Sequence, residues 1–210
     1  MAIKNDREYR NLGAIEIRAA QEGEEQRYIV EGYASTFEPY KLLTMDGVDY
    51  FERIEPTAFD KADMSDVVFL RDHQGRVLAR TKNGSIDLEV DNIGLHQRTD
   101  LGLTGASREM FEDIQSRNYT QMSFSFVVDD DDYEEETHTR VIKSIRKLYD
   151  ISAVAFPANP GTDIGVSMRD YFNGVIEAEK AERLEAERRA KAIERLKLKI
   201  KLQGENHHGN

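Results

Sequence analysis

The chain has 210 residues, of which 39% are hydrophobic, and this suffices for one domain with a core plus an appendage. Its net charge of -11 argues against nucleic-acid binding, which needs a basic surface. The absence of cysteine excludes disulfides, thiol catalysis and thiolate metal sites. The N-terminus is polar and no apolar run approaches the roughly 18 residues of a membrane span, so we expect a soluble protein that is not exported by this route.

Most of the chain has the pattern of a β-rich domain. Between about Asn11 and Pro160, apolar runs such as AIEIRAA, RYIVEGYAS, VVFL and ISAVAF are separated by Gly, Asn and Asp, which is typical of many short strands. Two helices are predicted within this region, a short one at EPTAFDKA and another at TGASREMFEDIQSRN, where Thr104 is a candidate N-cap. We therefore expect a small mixed β domain with helices.

The stretch QMSFSFVV alternates between apolar and polar residues. In an extended chain the apolar side chains at 122, 124, 126 and 128 share one face, and Ser123 and Ser125 share the other. A rigid strand can hold a nucleophile in place, but an ordinary half-buried edge strand has the same alternation. The stretch alone leaves both interpretations open.

An acidic block follows directly. Residues 129–136 contain seven acids in eight positions, which predicts a solvated loop of mutually repelling charges. The block lacks the glycine and the ligand spacing of an EF-hand, so we predict no metal site there.

The last part of the chain has a different composition. Residues 177–203 lack Pro and Gly and are rich in strong helix formers, which predicts one long helix. This segment has six acidic and nine basic residues, so its charge is opposite in sign to that of the body. Ile193, Leu196 and Ile200 form an apolar stripe. The helix is either a solvated single helix or a docking or coiled-coil element.

The histidines provide candidates for a catalytic base. His207 and His208 lie in a polar end, His138 follows the acidic block, and His96 lies in a predicted strand. His73 directly follows the apolar strand VVFL and precedes a turn glycine. At such a strand end its ring can reach both a neighbouring strand and water, as a general base requires.

Acyl transfer needs a hydroxyl, a base within hydrogen-bond reach and a third group that fixes the imidazole tautomer. The chain offers candidates for each role: a serine at 123 or 125 as the hydroxyl, His73 as the base and an acid as the third group. Asp150 is a candidate acid because it opens the apolar strand of KLYDISAVAFPANP. Composition does not select it among the many acids, and spacing does not decide between the two serines.

Four segments in order resemble the prohead, or capsid maturation, protease family of tailed bacteriophages, which is distantly similar to the herpesvirus assemblin proteases. They are VEGYASTFEPY with FERIEPTAFDKA, then VVFLRDHQGRVLAR, then MSFSF, then LYDISAVAFPANPGT. The resemblance covers roughly residues 14–162.

The resemblance implies the roles of three residues. The family's catalytic histidine falls on His73, its nucleophile on Ser123 and its acid on Asp150. The chain departs from the family pattern at Ser125, where glycine is common, and at Asp150, where glutamate is usual. Because aspartate is one methylene shorter than glutamate, the resemblance leaves open both a direct and an indirect contact of Asp150 to His73. For the oxyanion, backbone N–H groups are the expected donors, with Arg140 or Arg146 as side-chain candidates.

The resemblance also implies an assemblin-like β-barrel flanked by helices, with a protease domain at 1–172 and a charged helical tail at 173–210 for docking or self-cleavage. The implied activity is that of a serine endopeptidase without cofactor or metal. Its partners would be the scaffold, the scaffolding segment of the major capsid protein and a second copy of itself, through autocleavage or a homodimer. It would act inside the assembling procapsid in the host cytoplasm, without nucleic acid or membrane.

Two other classes remain open at the level of sequence. A non-enzymatic assembly or scaffold protein would act through the long helix, and its serine strand would be part of the core. A cytoplasmic binding module for a basic partner would use the acidic body, and its binding would weaken strongly with salt.

Overall fold

The structure, a computed structural model, describes residues 6–17, 28–155 and 163–205. Its strands are β1 (Glu8–Ala14), β2 (Glu16–Ile17), β3 (Ile29–Thr36), β4 (Tyr40–Met45), β5 (Val48–Ile54), β6 (Val68–Arg71), β7 (Gln74–Arg80), β8 (Ile86–Val90), β9 (Gly94–Asp100), β10 (Gln121–Glu134) and β11 (Thr139–Val154). Its α-helices are α1 (Gly105–Gln115) and α2 (Asp163–Glu205), and short 3-10 helices span Pro56–Phe59 and Thr81–Asn83.

Seven strands form the larger sheet, and β10 and β11 are its centre. The order is β1-β10-β11-β5-β4, and β6 also pairs with β11 while β7 pairs with β6. β11 has 16 residues, so its first part pairs in parallel with β5 and its last part pairs in parallel with β6. The strand that carries Asp150 thus lies between the strand that carries the two serines and the hairpin that carries His73.

The second sheet has four antiparallel strands in the order β2-β3-β9-β8. One core joins residues of both sheets and of α1, and it includes Met122, Phe124 and Phe126, which are all fully buried. The prediction of a mixed β domain with helices is confirmed. Within the described residues the strands form two open sheets and no closed barrel, so the assemblin-like barrel stays a prediction.

The two predicted helices of the body are present. The segment EPTAFDKA contains the 3-10 helix, and α1 begins after Thr104, whose side chain accepts a hydrogen bond from the backbone N–H of Ser107. Such a cap satisfies one of the donors that a helix leaves free at its start.

The C-terminal helix is longer than the sequence pattern predicts. α2 begins at Asp163 rather than near residue 177, and the chain divides into one compact unit that ends at Met168 and another that starts at Arg169. Among the described residues, no helix combines the length and the hydropathy that crossing a bilayer requires. His207, His208 and the side chain of Ile200 lie outside the described part of the chain, as do residues 156–162 with the Phe-Pro-Ala-x-Pro end of the resemblance.

The acidic block is mostly strand, and the loop prediction is wrong for residues 129–134. β10 continues through them to Glu134, and only the turn that follows, at residues 135–138, joins it to β11. Basic partners on other strands offset the repulsion, because Asp132 pairs with Lys143 of β11 and Glu134 pairs with Arg53 of β5.

Five charged side chains form a buried cluster beside β1. Arg10 contacts Glu52 at 2.5 Å and Glu8 at 2.6 Å. Arg140 contacts Glu8 at 2.7 Å, Glu52 at 2.9 Å and Asp131 at 2.5 Å. Buried charges are tolerated only when they are paired in this way. The cluster fixes β1 against the first part of β11 and against β5.

The buried cluster predicts a specific loss of stability in acid. Burial by itself raises the pKa of Glu52, but the charges of Arg10 and Arg140 outweigh burial and lower the pKa from 4.5 to about 2. Because the folded-state pKa lies below the ordinary value, Glu52 contributes stability above about pH 4.5 and loses it as the pH falls towards 2. We expect Glu52→Gln to abolish this part of the acid dependence in urea unfolding at several pH values.

A matched control for this experiment is Glu112→Gln on the exposed face of α1, which should leave the acid dependence as it is in the wild type. Glu52→Gln should also be less stable than the wild type at pH 7, because Arg10 and Arg140 lose a counter-charge. An unchanged acid dependence in Glu52→Gln would contradict the prediction.

Candidate active site

The two serines of β10 face the same side of the larger sheet. In the register with β11, Ser123 lies opposite Ser152 and Ser125 lies opposite Asp150. The apolar neighbours Phe124 and Phe126 fill the core on the other face and fix the strand. Alternation along β10 therefore points both hydroxyls at one place beside Asp150. Neither serine has solvent-exposed surface.

A hairpin turn carries His73. Arg71 pairs with Gln74 across the β6–β7 hairpin, so Asp72 and His73 form a two-residue turn, and their φ angles are 47° and 57°. Two-residue hairpins favour positive φ at both central positions, a conformation that is uncommon outside glycine but is adopted more often by Asp, Asn and His than by other residues. The turn is tied to β11 by hydrogen bonds from Asp72 N–H to the Ala153 carbonyl at 3.0 Å and from His73 N–H to Ser152 Oγ at 3.2 Å.

The imidazole of His73 lies between a hydroxyl and a carboxylate. Its Nε2 is 2.6 Å from Ser123 Oγ, and its Nδ1 is 2.6 Å from Asp150 Oδ1. A carboxylate only accepts hydrogen bonds, so it selects the tautomer with hydrogen on Nδ1 and leaves the Nε2 lone pair for the Ser123 hydroxyl. This arrangement can remove a proton from Ser123 and stabilise the imidazolium that results.

Asp150 is fully buried, and four donors saturate its carboxylate. His73 and Ser152 donate to Oδ1, the latter at 2.9 Å, and Ser125 and Arg7 donate to Oδ2. Burial raises the pKa of the Asp150 carboxyl, but the hydrogen bonds and the charge of His73 outweigh it, and the pKa lies below its ordinary value. Asp150 is therefore ionised at neutral pH and contacts His73 directly, despite the shorter side chain.

The neighbouring acid, Asp72, points elsewhere. Its carboxylate accepts hydrogen bonds from the Tyr119 hydroxyl at 3.2 Å and from the backbone N–H of Ala155 at 3.4 Å. The Asp72 carboxylate thus contacts Tyr119 and Ala155 rather than the His73 ring.

The remaining sequence candidates lie outside this group. His96 packs edge-on against Tyr33, and His138 Nδ1 is 3.1 Å from the Tyr133 hydroxyl. Arg140 belongs to the buried charge cluster, which occupies its guanidinium. In the residues that the structure describes, no group of three or more His, Asp or Glu side chains could hold a metal ion.

Sequence reasoning missed Ser152, Arg7 and Tyr9. Ser152 follows Asp150 by two positions, so strand parity alone places it on the same face and could have found it. Tyr9 lies in β1 and Arg7 precedes this strand, and no local pattern reports the pairing of β1 with β10, which is more than 100 residues away in sequence. The ring of Tyr9 packs edge-on against that of His73 with centroids 4.7 Å apart.

The chain belongs to the caudovirus prohead serine protease family, because the sequence model of that family matches residues 14–174. This match confirms the resemblance and includes Ser123, His73 and Asp150. Searches with this sequence and structure found no match among curated proteins or among solved structures. The family identifies the chain as a bacteriophage serine protease of capsid maturation, a hydrolase that acts on phage capsid proteins.

Proposed function

We propose that the protein is a serine endopeptidase in which Ser123 is the nucleophile, His73 the general base and Asp150 the group that orients the imidazole. The observation that carries this proposal is the continuous hydrogen-bonded chain from Ser123 Oγ through both ring nitrogens of His73 to Asp150 Oδ1. These residue types and this order of contacts are what serine-dependent acyl transfer requires. Family membership supplies the reaction class independently.

The proposed reaction proceeds in two acyl transfers. Ser123 Oγ attacks the peptide carbonyl while its proton moves to His73 Nε2, and a tetrahedral oxyanion forms. Its collapse breaks the C–N bond, and His73 delivers the proton to the leaving amine. A water molecule, activated by the same imidazole, then hydrolyses the acyl-enzyme. Throughout, Asp150 holds the Nδ1–H tautomer and stabilises the imidazolium.

We assign as substrates the internal scaffold, the scaffolding segment of the major capsid protein and the protease itself, with the assembling procapsid in the host cytoplasm as the place of action. Family membership supports this assignment, because prohead proteases act during capsid maturation. A decisive experiment is co-expression with the matching capsid protein, in which wild type shortens the capsid protein and Ser123→Ala leaves it intact. An equal shortening by both would reject the proposed nucleophile.

The C-terminal helix has the features of a docking element. Most side chains between residues 173 and 197 are exposed, and these include the large apolar Leu184, Ile193 and Leu196 at 51%, 55% and 59%. Exposed apolar side chains on one helix suit insertion into a groove of a partner. We infer that residues 173–210 carry the protease into the assembling shell.

Removal of this tail should separate incorporation from catalysis. A chain that ends at Phe172 keeps His73, Ser123 and Asp150, so we expect it to fold and to cleave a supplied substrate. Its incorporation into capsids should fall, as measured by the amount of protease in purified procapsids. Unfolding or aggregation of the truncated chain would reject the assignment of residues 173–210 as separable.

Point variants test the apolar residues without shortening the chain. Ile193→Lys with Leu196→Lys should reduce incorporation. Ala186→Lys with Ala190→Lys, which adds the same charge at two exposed small residues of α2, is the matched control and should incorporate as the wild type does.

The exposed apolar residues of α2 also favour a second candidate, a non-enzymatic assembly protein that acts through this helix. The two functions differ in one measurement. If purified wild type and Ser123→Ala have the same mass spectrum after incubation and neither cleaves capsid protein, but both support assembly, the second candidate is correct.

A further inference from the structure

Arg7 contacts the acidic end of the proposed site from a segment that precedes the family match. Its Nη2 forms an ion pair with Asp150 Oδ2, and its Nε donates to Ser125 Oγ at 2.9 Å. The guanidinium also lies over the ring of Tyr149 at 4.7 Å and over that of Tyr9 at 5.6 Å from the centroids. The match of the family model begins at residue 14, so it does not include Arg7.

The position of Arg7 is fixed by the strand that follows it. β1 pairs with β10 in a register that places Tyr9 opposite Ser125. On the other face of β1, Glu8 and Arg10 belong to the buried charge cluster, where they contact Arg140 and Glu52. The strand is therefore held from both faces, and Arg7 is held next to Asp150.

We propose that Arg7 is a positioning residue of this protease, which holds the Asp150 carboxylate for His73 and offsets its charge. This inference rests on the proposed serine endopeptidase function. Arg7 does not touch the reacting atoms, because its contacts are to Ser125, Asp150 and two aromatic rings. It acts through Asp150.

Two physical effects follow from this geometry. First, Arg7 and Ser125 occupy Oδ2, so that Oδ1 is left to face the imidazole, and loss of Arg7 leaves a buried carboxylate with one charged donor fewer. Second, the positive charge of Arg7 disfavours a proton on the His73–Asp150 pair. Without this charge the pair holds its proton more tightly, and a larger fraction of the enzyme lacks a free base at a given acidic pH.

Among the neighbouring charged or titratable groups, Tyr9 packs against His73, Tyr149 lies beneath the Arg7 guanidinium, and Asp72 precedes His73 in the turn but contacts Tyr119. They are unchanged in an Arg7 variant. The pH effect of Arg7→Met is thus assigned to the guanidinium.

The test measures the pH dependence of cleavage of a fluorogenic peptide that spans a mapped cleavage site of the capsid protein. We expect Arg7→Met to lower kcat about 10- to 100-fold, the effect of losing one charge-assisted hydrogen bond, with little change in KM. The acidic limb of its kcat/KM profile should move to higher pH. Arg7→Lys, which keeps the charge, should retain the wild-type position of that limb.

Two further variants make the test specific. Arg108→Met removes another exposed arginine, whose guanidinium lies over the ring of Tyr28 at 5.9 Å, and should match the wild type in rate and profile. In an Asp150→Asn background, which lacks the carboxylate charge that Arg7 offsets, Arg7→Met should lower the rate far less than it does in the wild type. If Arg7→Met alone folds poorly, Arg7→Lys and the double variant still test the positioning role.

The outcomes separate this inference from the proposed function. If Ser123→Ala abolishes cleavage but Arg7→Met keeps the wild-type rate and acidic limb, the positioning role is rejected and the endopeptidase stands. An additive loss in the Asp150→Asn background also rejects it. If Ser123→Ala cleaves as the wild type does, the proposed function itself fails.

Discussion

Ser123→Ala is expected to reduce peptide cleavage by about 10⁴-fold or more, because the members of a catalytic triad act as a unit and loss of the nucleophile removes the covalent route. The structure gives the reason for choosing this serine. Ser123 Oγ is 2.6 Å from His73 Nε2, whereas the described partners of Ser125 Oγ are Asp150 and Arg7. Cleavage of a fluorogenic peptide by purified protein measures the effect.

Ser125→Ala is the matched control, since it removes the same hydroxyl two positions along the same strand. It costs Asp150 one of four donors, and we expect a loss far smaller than that of Ser123→Ala, at most about 100-fold, because a hydrogen bond to a charged group contributes about 1.5–3 kcal/mol. If the two variants exchange these phenotypes, Ser125 is the nucleophile and the assignment of Ser123 is wrong.

Asp150→Asn is expected to keep the fold and to lower kcat by about 10⁴-fold, the size of effect known when an amide replaces a triad carboxylate. Two donors, Ser125 and Arg7, face Oδ2, so the amide oxygen of the asparagine should occupy that place. Its NH2 group then faces His73 Nδ1 and donates to it. This selects the tautomer with hydrogen on Nε2, which cannot accept the proton of Ser123.

The comparison variant is Asp72→Asn, which makes the same chemical change in the residue next to His73. Asparagine tolerates positive φ, so the turn is kept, and the Asp72 carboxylate contacts Tyr119 rather than the imidazole. We expect a rate within a few-fold of the wild type. A wild-type rate in Asp150→Asn, with a large loss in Asp72→Asn, would move the acid of the site to Asp72.

The positions of the two serines and of His73 are predicted from local sequence patterns that follow from strand geometry. Alternation around Phe124 placed Ser123 and Ser125 on one face, and the structure has that arrangement. The apolar strand before His73 indicated a strand end, and the structure places the residue in the turn itself. Parity of this kind is a local property of the chain. It does not depend on which strands pair.

The parts that could not be predicted depend on distant pairing or on tertiary contacts. Arg7 reaches Asp150 only because β1 pairs with β10, and neither segment encodes that pairing locally. The sequence predicts a later start of α2 than the structure has, because Gly165, Asn173 and Gly174 have low helix propensity, which other contributions to helix formation outweigh. The acidic half of β10 has the composition of a loop, and its strand conformation depends on pairing with β11 and on the basic partners Lys143 and Arg53, of which Arg53 lies 81 residues from Glu134 in sequence.

The burial of the proposed nucleophile has a kinetic meaning. Ser123 has no exposed surface and the side chain of His73 has 17%, so a peptide bond reaches the hydroxyl only when atoms that cover it move. A rate that depends on such a movement scales with the fraction of molecules in which the hydroxyl is uncovered. Under that condition, a contact in a procapsid that favours the uncovered form would increase proteolysis without any change in the chemistry of the three residues.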